Sequence, residues 1–260
     1  MECKNCSAII QGHYCHNCGQ KTYTERFTVK QIWQDTWESL TNLDKGFFKT
    51  IQMMVLKPGV MTEEFLQGKT RFYTKPVQYL LICIGIYIFT ISLTGGFESM
   101  GLPDAEGMYE SMGVEYTKEQ MAIQERNIQL MMDYFSLVYL LILPFFSMST
   151  YLLFKKSGYN YAENLIINCY VYGTICFVSL LWLFLVFGIP GLKQYTMFIS
   201  FASTCLILIL LYKKIYRESW VSTMIKSMLS FVIGYFVMIL FAFLLVIIGV
   251  VLFLLLQKIF

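Results

Sequence analysis

Five apolar runs, at about residues 77–94, 134–154, 165–188, 195–212 and 228–256, constrain this chain more than any other feature in it. Each comes near or above the roughly 18 residues that an α-helix needs to cross the hydrocarbon of a bilayer. The composition agrees, with 57% hydrophobic residues, 14% charged residues and a mean hydropathy of +0.57, whereas a soluble domain carries about a quarter of its residues charged. The expected fold class is therefore an all-α polytopic membrane protein with about five transmembrane helices, its bundle occupying residues 77–260. The last run is long enough to tilt or to extend into an interface.

Charge sets the expected orientation. Residues 1–76 carry ten Lys/Arg against seven Asp/Glu, whereas residues 95–133 carry two against eight. Lys155, Lys156, Lys213, Lys214, Arg217 and Lys226 fall in alternate loops, on the side of the N-terminal region. The positive-inside rule makes those segments cytoplasmic and leaves 95–133, 189–194 and the C-terminus outside, in the periplasm of a bacterial inner membrane. Lys193 and Lys258 run against the trend. The first 26 residues contain no apolar core of the length a secretory signal needs, so the N-terminus is expected to be mature and cytoplasmic.

Four of the eight cysteines form two Cys-x-x-Cys pairs, Cys3/Cys6 and Cys15/Cys18, while Cys83, Cys169, Cys176 and Cys205 stand singly inside apolar runs and read as small hydrophobes. The link between the pairs is long enough for a hairpin turning at Gln11-Gly12, which would bring four thiolates around one tetrahedral Zn²⁺. A dithiol redox centre wants a strand-helix context that this segment lacks, and c-type haem attachment wants His directly after the second Cys, where Gly19 stands. Paired disulfides want an oxidising compartment. Residues 1–22 are therefore expected to be a zinc ribbon with Cys3, Cys6, Cys15 and Cys18 as ligands, the metal folding a segment too small to hold itself together by burial. His13 and His16 read as solvated turn residues, and Ser7 stands where the second turn has Gly19.

From Phe27 the apolar residues recur at spacings of three or four, with Thr28 and Gln31 placed as a capping box. Residues 27–76 are expected to form cytoplasmic juxtamembrane helices: an amphipathic, interfacial one over 27–55 carrying Trp33 and Trp37, broken near Asp44-Lys45-Gly46, and a shorter one over 61–67 after Lys57-Pro58-Gly59. Lys69, Arg71 and Lys75, interleaved with Phe72 and Tyr73 just before the first run, are candidate contacts for lipid head groups. In the acidic segment, Thr117 and Gln120 form a second capping box that starts a helix leading into the second span.

Inside the runs ionisable residues are scarce. Glu163, Asn164 and Asn168 make the one polar cluster, at the cytoplasmic entrance of the third run. It reads either as a substrate or head-group contact or as a helix cap and interhelical glue. Both histidines lie in the ribbon, and neither a His-Glu-x-x-His helix nor a phosphate-binding Gly-Lys loop occurs, so no enzyme is expected. The ribbon carries only Lys4 and Lys21 as cations, too few for nucleic acid.

The order of parts resembles the bacterial domain-of-unknown-function family 3667. The likeness rests on Tyr14-Cys15-His16-Asn17-Cys18-Gly19-Gln20-Lys21, on Arg26, on Pro58-Gly59, and on Gly68-Lys69-Thr70-Arg71 with Tyr73 and Pro76 leading into the first run. Thr70 departs from the family's Gly-Lys-Arg and displaces the arginine by one position. The resemblance implies a bacterial inner-membrane protein with a cytoplasmic zinc ribbon and no assigned activity. The expected function is that of a binding, scaffold or assembly protein, engaging the bilayer and a protein partner or a second copy. The alternative is a transporter or lipid-handling protein with its entrance at Glu163, Asn164 and Asn168.

Overall fold

The computed structural model describes residues 2–10, 12–21, 26–39, 46–94, 117–189, 192 and 195–259. Nine α-helices are formed among the described residues: α1 (Val29–Ser39), α2 (Phe47–Leu56), α3 (Pro58–Leu66), α4 (Pro76–Leu93), α5 (Lys118–Asp133), α6 (Phe135–Leu153), α7 (Tyr161–Gly188), α8 (Thr196–Tyr216) and α9 (Trp220–Ile259). The sole extended pairings described are two isolated bridges in the ribbon, Glu2 with Ile9 and Tyr14 with Lys21. The acidic segment up to residue 116 and the break expected at Asp44-Lys45 lie outside the described residues.

Four helices are long and apolar enough to cross a membrane, through Pro76–Leu93, Tyr161–Leu185, Phe198–Tyr216 and Trp220–Leu244. The chain is accordingly membrane-embedded. The expected second span corresponds to α6, whose described apolar stretch, Leu137–Leu153, is shorter than the other four. Two starts differ from hydropathy. The third helix begins at Tyr161 instead of 165, because Asn160 caps it: its side chain accepts from the Glu163 N–H at 2.8 Å while the Glu163 carboxylate accepts from the Asn160 N–H at 2.8 Å. The last begins at Trp220, eight residues earlier than expected, because Glu218 takes the charge of Lys226 at 2.5 Å and so lets the helix run through a lysine.

Helix α7 is the hub, packed by α4, α6 and α8, and by α1 and α2 near its start. In its apolar window 67% of residues are buried, against 17% for α9, which lies at the margin on α6 and α8. Gly173 sets the α4–α7 distance, since a Cβ there would stand 2.8 Å from the Tyr79 ring and 3.3 Å from the Leu80 backbone. Helices α1 to α3 share this core. Met54, Met61 and Phe65 are buried with Tyr79, Cys169 and Tyr170, and the Phe65 and Tyr170 rings stand 5.4 Å apart. Both capping boxes read from sequence form: Thr28 with Gln31 starts α1 and Thr117 with Gln120 starts α5.

Candidate metal centre and its seat on the bundle

The ribbon is built from one unit used twice, twelve residues apart. Cys3 N–H donates to Ala8 O and Ser7 N–H to Cys3 O, both at 2.8 Å; Cys15 N–H donates to Gln20 O at 2.9 Å and Gly19 N–H to Cys15 O at 2.8 Å. Each unit closes with a residue at positive φ, Ser7 at 58° and Gly19 at 70°. The tight turn requires that conformation, and only Gly reaches it without strain. Crossing the two turns pairs Cys3 with Cys18 and Cys6 with Cys15, each pair of sulfurs 3.6 Å apart, and all four sulfurs lie within 4.8 Å of one another.

That geometry fits a metal ion. A tetrahedron with Zn–S bonds of about 2.3 Å has edges of about 3.8 Å, close to the two measured separations. The chemistry fits as well. The Ala8 amide favours the Cys6 thiolate, but burial and the Cys18, Cys15 and Cys3 sulfurs outweigh it and push that thiol up to about 11. Burial opposes ionisation of Cys18, yet the Gln20 amide, the Asn5 side chain and the Cys6 and Cys3 sulfurs bring it down to about 6. Four sulfurs this close resist shared ionisation, and a divalent cation removes the conflict by holding all of them as thiolates. His13 and His16 are exposed and stand outside the cluster.

The ribbon does not float. Gln20 is 4% exposed, and its side chain donates to Gly68 O while accepting from the Arg71 N–H at 3.2 Å. Lys4 packs along Gly68, and the Arg71 guanidinium lies beside Gly19. Lys21 pairs with Asp35 of α1 at 2.7 Å, and Lys75 donates to the Asp35 carbonyl at 2.7 Å. Arg26 then reaches the start of α7, where it forks onto the buried Glu163 carboxylate, with Nε 2.9 Å from Oε1, and donates to Gly158 O at 2.8 Å. Its charge is favoured by that carboxylate, which raises an already high guanidinium pKa.

Residues far apart in sequence thus converge on one junction, and each has a local reason. Pro58 is the first residue of α3, where no N–H is needed. Gly59 leaves room for the Lys214 carbonyl at the end of α8, a contact that a Cβ would occlude. Gly68, at φ +95°, closes α3, and the Gly68 and Lys69 amides return to Phe65 O and Glu64 O, each at 2.9 Å. Tyr73 donates to Glu64 at 2.6 Å, and this bond, helped by Lys69 at 3.4 Å, holds the Glu64 carboxyl below the ordinary range against the opposing effect of burial.

Of the three candidate head-group cations, Lys69 therefore faces Glu64 and Lys75 faces α1, while Arg71 is exposed at the ribbon edge. The polar cluster is brought together, and it is larger than Glu163, Asn164 and Asn168. Asn164 accepts from Tyr216 at 2.7 Å and donates to Asn160 O at 2.8 Å. Asn168 accepts from Tyr212 at 2.6 Å and donates to Ser147 at 3.2 Å and Thr150 at 2.9 Å. Sequence reasoning missed the two tyrosines, although the signal was present: Tyr212 and Tyr216 are four apart on α8, as Asn164 and Asn168 are on α7, so the helices can pair them. Trp33 is half exposed on α1, which packs on α4 and α7 through Ile32 and Asp35.

Residues 44–88 match the family model described as Protein of unknown function (DUF3667), so the chain resembles that family over the α2–α3 hairpin and the first two thirds of α4. No curated protein and no solved structure matches the chain.

Proposed function

We propose that this protein is a bacterial inner-membrane scaffold whose cytoplasmic ribbon, folded around one structural zinc, presents a surface to a protein partner or a second copy while the bundle anchors it and carries the C-terminus to the periplasm. The observation that carries the reading is the seating of the ribbon. Gln20, Lys21 and Arg26 fix it to the α3–α4 loop, to α1 and to α7 in succession, and Ile9 and Tyr14 then point outward, 68% and 59% exposed. A metal knuckle held this rigidly offers a preorganised surface, which lowers the ordering cost of association. Four thiolates also complete a tetrahedron, leaving no open position for metal chemistry.

A photo-crosslinking residue placed at Ile9 or Tyr14 of the full chain in cells tests it. A reproducible protein adduct, lost in Cys15→Ser, is expected. Absence of any reproducible adduct at both positions refutes the scaffold reading. The alternative of transport or lipid handling draws on Glu163, Asn164 and Asn168 at the start of α7, but Glu163 is held by Arg26 and the Asn160 N–H, and the side chains of Asn164 and Asn168 already have protein partners, which supports a cap and interhelical glue.

A further inference from the structure

We propose that the outer face of the α2–α3 hairpin is a bilayer-seating surface, its occupant the acyl-chain and head-group boundary of the leaflet on the ribbon side. This rests on the membrane reading of the four long apolar helices and does not depend on the ribbon's metal or partner.

Helix α2 is strongly apolar, and its outward side mixes exposed Phe48, Val55 and Leu56 with exposed Lys49 and Gln52, the make-up of a helix lying in an interface. Its ten residues extend about 15 Å, half of a hydrocarbon core of about 30 Å, so it cannot span. One side is buried in the bundle through Thr50 and Met54, both at 0% exposure. The other leaves Phe48 82% and Leu56 61% exposed, continued by Val55, by Val60 at the start of α3, and by Phe72. Water is a poor occupant for such a face.

The contacts fix its level. The Thr50 hydroxyl accepts from the Thr74 N–H at 2.9 Å, and Phe47 stands 5.9 Å from Tyr79 in the first turn of α4. On α3, Glu63 pairs with Arg217 at 2.5 Å, one residue past the end of α8. The hairpin therefore lies at the level where the apolar windows of α4 and α8 stop. Cations and aromatics rim it as the interface demands: Lys49 lies 4.2 Å over the Phe72 ring, Lys57 is exposed at the hairpin tip, and Lys213 stands 5.7 Å from the exposed Trp220 ring at the same level. Basic side chains there meet phosphates while the rings and Leu56 enter the acyl boundary.

The test uses the full chain in nanodiscs of phosphatidylethanolamine and phosphatidylglycerol, with a benzophenone side chain at Phe48, Leu56, Phe89 or Ile9 in turn, and mass spectrometry of the photo-adducts. Phe89, exposed within the apolar span of α4 and away from the ribbon end, reports lipid by position, and Ile9, exposed on the ribbon, reports what apolarity alone gives. Lipid adducts at Phe48 and Leu56 are expected at a yield like that of Phe89 and about tenfold above Ile9. Yields at both positions no higher than at Ile9, with Phe89 labelled, overturn the proposal. Adducts at Phe48 and Leu56 to another protein chain in place of lipid overturn it equally. Failure of the scaffold reading would leave these yields unchanged, so the two are separable.

Discussion

Asn168→Leu offers a sharp test of what holds the ribbon side of the bundle together. Asn168 is fully buried and makes three hydrogen bonds, accepting from Tyr212 at 2.6 Å and donating to Thr150 at 2.9 Å and Ser147 at 3.2 Å. Leucine fills nearly the same volume, so the change removes the bonds and little packing. The three partners do not suffer equally. Ser147 and Thr150 also donate back within α6, to Leu143 O at 2.8 Å and Ser147 O at 3.1 Å, and lose only an accepted bond. Tyr212 loses the Asn168 oxygen that accepts its proton while remaining at 0% exposure. A stranded buried donor costs about 1–3 kcal/mol in water-soluble cores, whereas a hydrogen bond between membrane helices contributes about 0.6 kcal/mol because the unfolded chain in the membrane also finds partners. The expected loss is therefore about 1–2 kcal/mol, most of it from Tyr212. In a double-mutant cycle with Tyr212→Phe, the pair should cost less than the sum of the singles by about 1 kcal/mol. Reversible unfolding of the purified protein in mixed micelles measures all four corners. A single change within about 0.3 kcal/mol of the native protein, or strictly additive singles, would refute the reasoning.

Two further outcomes follow from the ribbon and its seat. Ser7→Gly relieves an L-residue held at φ 58° and should tighten metal retention against a chelator by about 1 kcal/mol, close to fivefold in affinity; Gly19→Ser should loosen it by a like factor, and equal retention in all three proteins would contradict the strain argument. Glu64, whose folded pKa is depressed first by the Tyr73 hydroxyl, contributes stability that is full above its unfolded value of about 4.3 and is lost as pH falls through the lower folded one. Tyr73→Phe should therefore lower the melting temperature near neutral pH and converge on the native protein on acidification through that window, and a pH-independent difference would be inconsistent with the bond.

Much of this was legible in the residues. Twinned Cys-x-x-Cys pairs declare by spacing a four-cysteine cluster that could hold a metal ion, capping boxes such as Thr28 with Gln31 declare helix starts, and long apolar runs declare a membrane. What sequence hid was tertiary. Hydropathy placed the start of α7 at residue 165 because Tyr161, Glu163 and Asn164 read as polar, yet Asn160 with Glu163 is itself a capping signature, and the helix begins where the cap lies. Lys75 stands in a basic, aromatic stretch, and nothing local announces that the Asp35 carbonyl, 40 residues away, stands opposite it. Arg26 was visible as a motif residue, and its partner Glu163 lies 137 residues away. Such long-range pairings follow from the docking of α1 and the residues before it against α4 and α7, which no window of sequence encodes.

The central claim, that Cys3, Cys6, Cys15 and Cys18 hold one structural zinc on the membrane bundle, is tested most directly by the metal content of the purified full-length protein. One zinc per chain is expected, lost in Cys15→Ser while the protein still inserts in the membrane. A native protein without zinc, or a Cys15→Ser protein that keeps its full complement, would contradict it.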